Sequence, residues 1–184
     1  MINKILVAID NTKQHLNVFE TAVSLAKGTG SSLMLVHVLS EADPDYPILP
    51  TYAYYSLLKG NDDGLFQEQF NQYEQKVTNF LKNLTQKAVI AGIDAEYTIL
   101  SGMTGWEICE LACAWSADLV LVGSRGLKGL KGMFLGSVSN YVTHHSPCSV
   151  LIVRSDSDAV SYSTMMTDQA TEEVDSKQEV TSDR

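Results

Sequence analysis

Short apolar runs alternate with longer amphipathic stretches along this chain, and that rhythm limits the folds it can adopt. Residues 4–9, 32–39, 94–100, 118–122 and 149–153 predict strands, whereas helical spacing marks residues 11–27, 65–91, 104–116 and 136–145. Strands separated by helices indicate a parallel sheet with right-handed crossovers. We predict an α/β fold, a Rossmann-like open twisted parallel sheet of five strands in the order 3-2-1-4-5, with helices on both faces. Such sheets bind ligands at the carboxyl ends of their strands.

Local signals predict where the helices begin and end. Gly28 and Gly30 are expected to end the first helix, because glycine accepts the left-handed conformation that follows a helix. Thr104, with Glu107 three residues later, predicts a capping box at the start of the third helix. On that helix Cys109 and Cys113 lie four residues apart, on one face. We expect both to be buried as small apolar groups.

Two segments fall outside the repeating pattern. Residues 43–64 hold three prolines, four tyrosines and a polar turn cluster, which indicates a long loop inserted after the second strand. Residues 155–184 have no apolar period and carry eight acids against two bases, so we expect an acidic, disordered tail. The predicted domain therefore covers residues 1–154.

The overall charge argues against a nucleic-acid partner. The chain has 13 Lys and Arg against 22 Asp and Glu, a formal charge of −9, whereas proteins that bind duplexes carry a basic surplus. The apolar run at residues 5–9 is too short for a signal peptide, and no run approaches the roughly 20 residues of a membrane span. The three cysteines, an odd number, do not form a disulfide framework. We expect a cytoplasmic protein with neither a nucleic-acid nor a membrane partner.

A glycine-rich loop after the fourth strand carries the strongest chemical signal. It reads Gly123-x2-Gly126, then nine residues, then Gly136-Ser137 at the start of a helix. Glycine lets the backbone approach a phosphate closely, and a helix start offers N–H groups to an anion. Residues 119–155 contain no Asp or Glu but four Lys or Arg, so the loop lies in a locally positive field. The alternative is a flexible connector with solvated lysines.

The spacing of this loop resembles the ATP-binding signature of the universal stress protein family. The similarity extends to residues 4–10 (KILVAID), 35–38 (LVHV), 104–108, 117–120 and 146–153, and so spans about residues 1–154. It implies a nucleotide lying across the strand ends. The residues that it implies as nucleotide ligands are Ala8, Ile9, Asp10, Val38, Val122, Gly123, Arg125, Gly126, Gly136, Ser137, Val138 and Ser139.

The same resemblance gives each group of residues a part of the nucleotide. Residues 8–9 would line the base, Asp10 would lie on the ribose or adenine side, and Val38 would offer backbone contacts to adenine. Residues 122–126 would follow the ribose and phosphates, and residues 136–139 would hold the phosphates through amides and hydroxyls. Asp10 also has a separate physical case, because a carboxylate that ends a buried strand needs donors such as ribose hydroxyls. Its alternative role is to cap the following helix.

The resemblance also implies a function and a state of assembly. It implies a homodimer paired through the strand at residues 149–153, with ATP bound, or else ADP or AMP. Phosphates commonly bind a divalent cation, so Mg²⁺ or Mn²⁺ can accompany them. We expect at most slow hydrolysis, because no convincing general base lies near the phosphate end. The alternatives are a sensor of AMP or a cyclic nucleotide, and a nucleotide-free dimeric interaction module. The tyrosines of the insertion are Tyr46, Tyr52, Tyr54 and Tyr55. They either stack on the base, form a lid or pack the loop against the domain.

Overall fold

Strands and helices alternate along the chain in the predicted order. The computed structural model describes residues 1–10, 15–41, 43, 45–47, 64–124 and 135–154. Its elements are, in chain order, β1 (Lys4–Ala8), α1 (His15–Thr29), β2 (Ser32–Leu39), α2 (Gly64–Ile90), β3 (Ala95–Ser101), α3 (Thr104–Ala114), β4 (Leu119–Gly123), α4 (Ser137–His145) and β5 (Ser149–Val153). The predicted strands differ from these by a single residue at most. The predicted tail, residues 155–184, lies outside the described residues.

The five strands form one parallel sheet in the order β3-β2-β1-β4-β5. The central strand is β1, in which Ile5 pairs with Leu33 of β2 on one side and with Leu119 of β4 on the other. This topology confirms the predicted fold class and strand order. Because all strands run the same way, their carboxyl ends meet at one edge of the sheet.

Helices cover both faces of the sheet, and each face has its own apolar core. Val7, Leu35 and Leu121 point to the side where α1 and α2 pack. Leu6, Val36 and other alternate residues point to the side of α3 and α4. Burying one such side chain stabilises the fold by about 1.5–3 kcal/mol. The many buried side chains of the two layers therefore fix the helices on both faces of the sheet.

The predicted helix ends hold only in part: Gly30 ends α1, but Gly28, which was also expected to end it, lies inside the helix, and the start of α3 differs from the prediction. Gly30 follows α1 with φ +73° and donates its N–H to the Ala26 carbonyl at 2.8 Å, as predicted. At α3 the predicted capping box is wrong, because Met103 is the N-cap residue and no side chain caps the helix. Thr104 is already helical, since the first ladder bond runs from the Glu107 N–H to the Met103 carbonyl.

The cysteines of α3 do not share an environment. Cys109 is buried, whereas Cys113 is exposed, so the expectation that both are buried is wrong for Cys113. The buried stripe of the helix runs through Ile108, Cys109 and Ala112, and Cys113 falls just beyond its edge. Burial raises the pKa of the Cys109 thiol, which keeps it a neutral packing group.

The amino edge of the sheet is closed by hydrogen bonds to the chain start. The Asp118 carboxylate accepts the Asn3 N–H at 2.7 Å and the Lys4 N–H at 3.0 Å. These two bonds stabilise the charged form and lower the pKa of Asp118. They also tie the start of β1 to the start of β4.

Among the described helices, none combines the length and the hydrophobicity needed to cross a membrane.

Candidate functional site

The end of β4 and the start of α4 are fastened to each other at the carboxyl edge of the sheet. The Gly136 N–H donates to the Ser124 carbonyl at 2.7 Å. The buried Ser139 hydroxyl donates to the same carbonyl at 3.1 Å and to the Gly136 carbonyl at 3.0 Å. Both ends of the glycine-rich loop are therefore held side by side. Arg125 and Gly126 belong to the part of the loop that lies outside the described residues.

The first turn of α4 points its N–H groups toward this edge. Gly136 is the N-cap residue, and no side chain caps the helix. The ladder begins with the Asn140 N–H, which donates to the Gly136 carbonyl at 2.9 Å. The N–H groups of Ser137, Val138 and Ser139 thus precede the ladder, and together with the helix dipole they favour an anion.

The two hydroxyls of this turn play different parts. Ser137 is exposed, so its hydroxyl is accessible from the solvent. Ser139 is 2% exposed, and its hydroxyl is used in the bonds to Ser124 and Gly136. The structure therefore gives the Ser139 hydroxyl a role in holding the loop ends, and its contact with a phosphate stays a prediction.

A cavity of about 610 Å³ opens beside this helix start. It lies between the ends of β2 and β3 and the first turns of α3 and α4. Its lining combines apolar and aromatic side chains with small polar groups, as ligand pockets commonly do. The lining residues are Leu39, Ser40, Glu41, Tyr46, Ser101, Gly102, Met103, Thr104, Gly105, Trp106, Ser137, Val138 and Tyr141.

The described residues among those predicted from the sequence lie at the carboxyl edge of the sheet, and two of them line the cavity. Ser137 and Val138 are part of the lining, and Val38 is buried directly before Leu39 in β2. Ala8, Ile9 and Asp10 lie at the end of the neighbouring strand β1, and Val122 and Gly123 end β4. Because β1 stands between β2 and β4, the ends of all three strands share one edge.

Asp10 is half-buried just beyond β1, at the carboxyl edge of the sheet, and α1 is described from His15 onward. Residues 11–14, which connect Asp10 to α1, lie outside the described residues. Both predicted roles of Asp10, the ligand contact and the helix cap, therefore stay predictions.

The segment after β3 is part of the site and was not predicted from the sequence. Gly102, Met103 and Trp106 line the cavity, and Met103 and Trp106 are 74% and 47% exposed. Their position follows from the strand order, because β3 is the neighbour of β2 and its carboxyl end reaches the same edge. That order was itself predicted, so it was the signal that could have pointed to this segment.

A close helix contact holds α4 against α3 below the cavity. Gly105, in the first turn of α3, lies directly beneath the Tyr141 ring of α4. A Cβ atom on Gly105 would stand 2.7 Å from Cδ1, 2.9 Å from Cγ and 3.0 Å from Cβ of Tyr141. Only glycine therefore allows this approach, which fixes the start of α4 relative to the cavity.

Tyr46 is the member of the predicted tyrosine group that the structure describes. Its ring makes edge contacts with Phe70 at 6.0 Å and with Tyr73 at 5.7 Å, both on α2. It also lines the cavity. The prediction that the insertion is packed down thus fits Tyr46, which forms part of the wall at the same time. Tyr52, Tyr54 and Tyr55 lie outside the described residues.

No group of three or more His, Cys, Asp or Glu side chains suited to a metal occurs in the described ranges. The expected Mg²⁺ or Mn²⁺ therefore has no assigned side-chain ligand among these residues.

Most of the chain matches the model of a known protein family. The model of the universal stress protein family matches residues 1–154. The universal stress protein Sll1388 of Synechocystis sp. is 35% identical over 151 residues, which cover 82% of this chain and 97% of that protein. The universal stress protein YxiE of Bacillus subtilis is 36% identical over 154 residues, covering 84% of this chain and all of that protein.

Solved structures share the fold at lower identity. The universal stress protein UspA from Lactobacillus plantarum superposes with a TM-score of 0.67 at 20% identity, covering 83% of this chain and 98% of that one. A universal stress protein in complex with cAMP gives a TM-score of 0.57 at 23% identity, with 83% and 97% covered. The universal stress protein from Archaeoglobus fulgidus in complex with dAMP gives 0.53 at 17% identity, with 83% and 99% covered.

Proposed function

The chain belongs to the universal stress protein family, and from that premise we propose that it is a regulatory protein of the stress response that binds an adenine nucleotide. ATP is the proposed ligand, with ADP or AMP in the same site. The phosphates lie at the start of α4, the ribose near Asp10, and the base toward Val38 and the cavity. Arg125 and Gly126 complete the phosphate loop in this proposal.

One observation carries the proposal. The uncapped first turn of α4 opens next to a cavity of about 610 Å³ at the carboxyl edge of the sheet. An anion site and a partly apolar pocket side by side suit a molecule with a charged end and an aromatic end. The relatives solved with cAMP and dAMP support an adenine nucleotide as that molecule.

Binding without efficient turnover is the proposed mode of action. Hydrolysis needs a positioned water and a residue that orients it or accepts its proton. The segment on the phosphate side, residues 119–155, contains no Asp or Glu, and Asp10 lies toward the ribose. In this proposal the chain's own groups bind and orient the phosphates, and a turnover number of about 1 per second or faster would contradict it.

A second candidate is a sensor of AMP or a cyclic nucleotide. It is favoured by the two relatives in complex with nucleotides that carry one phosphate. The first turn of α4 offers N–H groups to any phosphate, so it does not distinguish ATP from AMP or cAMP. Competition between these three ligands in one calorimetric series separates the candidates.

We further propose that the protein acts in the cytoplasm as a homodimer paired through β5. This strand lies at the edge of the described sheet, and its Leu151 side chain is 36% exposed. An edge strand with an exposed apolar residue is stabilised by pairing with a second copy.

Ser137 allows a test of the phosphate position. Ser137→Asp places a negative charge at the first residue of α4, where it stabilises the helix by about 0.3–1 kcal/mol but repels a phosphate. We expect ATP affinity to fall at least about tenfold, equivalent to about 1.4 kcal/mol, while the melting temperature stays equal or rises. Ser137→Ala is the matched control and should lose much less affinity. Equal ATP affinity of Ser137→Asp and the unsubstituted protein would place the phosphates elsewhere.

A further inference from the structure

A buried polar cluster lies beneath the candidate site, on the side of the sheet where α1 and α2 pack. His37 of β2, Asp43 just after β2 and Tyr73 of α2 are 4%, 6% and 5% exposed. Burying ionisable groups is costly unless each finds a partner. The bonds within the cluster therefore determine the charge that it carries.

The Nδ1 nitrogen of His37 must carry a hydrogen. Nδ1 lies 2.8 Å from the Ile9 carbonyl oxygen, which can only accept a hydrogen bond. Strand β1 has already ended at Ala8, although the Ile9 N–H still donates to the Val36 carbonyl at 2.9 Å. The imidazole thus takes up the carbonyl at the point where the chain leaves the sheet toward Asp10.

The other nitrogen faces a carboxylate. Nε2 lies 3.5 Å from Asp43 Oδ2 and has no hydrogen-bond partner among the described residues. Asp43 Oδ2 also accepts the Tyr73 O–H at 2.9 Å, and Oδ1 accepts the Asp45 N–H at 3.1 Å. Two donors favour the ionised carboxylate. A bare Nε2 would set a lone pair against that charge in a buried site, whereas a proton on Nε2 makes the contact an ion pair.

Among the described residues, Asp43 is the charged group that an ion-pair contact places beside the ring. Burial, together with the hydrogen bond to Asp43 and its charge, raises the pKa of the Tyr73 phenol, so Tyr73 stays a neutral donor. On β3 the residue opposite His37 is the apolar Ile99. Other titratable or charged residues on the elements around the cluster include Asp10, His15, Asp45, Tyr46, Lys76 and Tyr97. Of these, His15 contacts the Phe80 ring at 4.8 Å, and Lys76 pairs with Asp45 at the surface.

We propose that His37 is an imidazolium ion paired with Asp43, and that this pair positions two walls of the nucleotide site. Through Ile9 the ring holds the end of β1, from which Asp10 leaves. Through Asp43 it holds the segment that carries Tyr46 into the cavity lining, because the Tyr46 N–H donates to the Asp43 carbonyl at 3.0 Å. When Nε2 loses its proton, its lone pair faces the Asp43 carboxylate and the two repel each other. Both walls then become less firmly held, so nucleotide affinity falls as pH rises. The effect on affinity rests on the proposed function, whereas the protonation of His37 rests on geometry alone.

The protonation is tested by nitrogen NMR of the histidine rings in the full-length, ligand-free protein at about pH 7. We expect both His37 nitrogens to show shifts of protonated imidazole, with the signals assigned by their loss in His37→Asn. In Asp43→Asn the ring should become neutral and keep its hydrogen on Nδ1. A neutral His37 ring in the unsubstituted protein overturns the proposal.

The positioning role is tested by calorimetric titration with ATP at about pH 6 and about pH 8.5. From the lower to the higher pH, the ATP affinity of the unsubstituted protein should fall, and this fall should be at least about fivefold larger than the fall seen in Asp43→Asn. A difference of that size is typical of coupled sites. Titration of the ATP phosphates themselves is common to all variants and cancels in this comparison. Equal pH dependence of the two proteins overturns the positioning role.

Three further variants separate positioning from simple damage to the fold. His37→Asn can still donate to the Ile9 carbonyl but lacks Nε2, so it should bind ATP at both pH values and lose the extra pH dependence. His37→Leu loses both contacts and should bind more weakly at both. Tyr73→Phe keeps the ion pair and should keep the pH dependence; its loss there would mean that the phenol, not the ion pair, is responsible. If the unsubstituted protein binds no adenine nucleotide, the proposed function fails, and the ring spectrum still decides the protonation of His37.

Discussion

Replacing Gly105 with alanine sets two effects of known size against each other. Alanine favours a helix over glycine by up to about 1 kcal/mol. At Gly105, however, the added Cβ would stand 2.7 Å from Tyr141 Cδ1 and 3.0 Å from Tyr141 Cβ. Carbon atoms in good contact are about 3.5–4.0 Å apart, and the root of the Tyr141 side chain cannot swing away without moving α4. Overpacking of this kind costs about 1–3 kcal/mol, so we expect a net loss of about 1 kcal/mol.

Gly28 provides the matched control for this prediction. It also lies in a helix, but a Cβ there would meet nothing within 4 Å. Gly28→Ala should therefore raise the free energy of unfolding by up to about 1 kcal/mol, while Gly105→Ala lowers it. Urea unfolding with linear extrapolation measures both.

A third variant isolates the contact itself. In a Tyr141→Ala background the clash is gone, so adding Gly105→Ala should stabilise the protein or leave it unchanged. ATP affinity should fall in Gly105→Ala, since the start of α4 moves with the helix. If Gly105→Ala alone stabilises the protein as much as Gly28→Ala, the close approach of the two helices is refuted.

Three further predictions concern other parts of the molecule. Leu151→Lys should convert a dimer to a monomer in sedimentation, whereas Leu16→Lys, at a residue of α1 that is 45% exposed, should not; equal sedimentation of both variants contradicts pairing through β5. Backbone N–H groups lower the pKa of Asp118, so its contribution to stability is present above the ordinary carboxyl pKa and is lost as pH falls through the lowered value. Asp118→Asn should therefore reduce the free energy of unfolding at neutral pH, with the difference vanishing in strong acid, and a pH-independent difference would contradict it. Iodoacetamide should modify the exposed Cys113 well before the buried Cys109, whose thiol pKa is raised; the reverse order in a peptide map would contradict this assignment.

The layout of the fold could be predicted because it depends on patterns that span many residues. Near-continuous apolar strands such as β2 and amphipathic helices such as α2 are set by burial, and burial leaves a regular trace in the sequence. The left-handed Gly30 was predictable for the same reason, since one residue type meets one conformational need. The start of α3 was not, because Met103 caps it without any side-chain bond, and only the path of the chain after β3 decides where the helix begins.

The candidate site was predictable only in part. Gly136 and Ser137 mark the start of α4 in the sequence, because an anion site at a helix start needs small residues there. The contributions of Trp106 and Tyr46 come from segments that meet only in the folded sheet, so no local pattern marks them. The use of the Ser139 hydroxyl within the loop depends on distances of about 3 Å between atoms, which a sequence pattern does not specify.

The central claim, that this protein holds an adenine nucleotide at the start of α4, is tested most directly by its bound ligand. Protein purified without added nucleotide is heat-denatured, and the released small molecules are identified by chromatography. A second sample, freed of bound nucleotide, is titrated with ATP, AMP and cAMP by calorimetry. The variant Gly136→Val is titrated in the same way. We predict that an adenine nucleotide is released or bound by the unsubstituted protein, and that Gly136→Val binds none while keeping its fold. An empty site that takes up no adenine nucleotide, or unchanged affinity in Gly136→Val, would contradict the account.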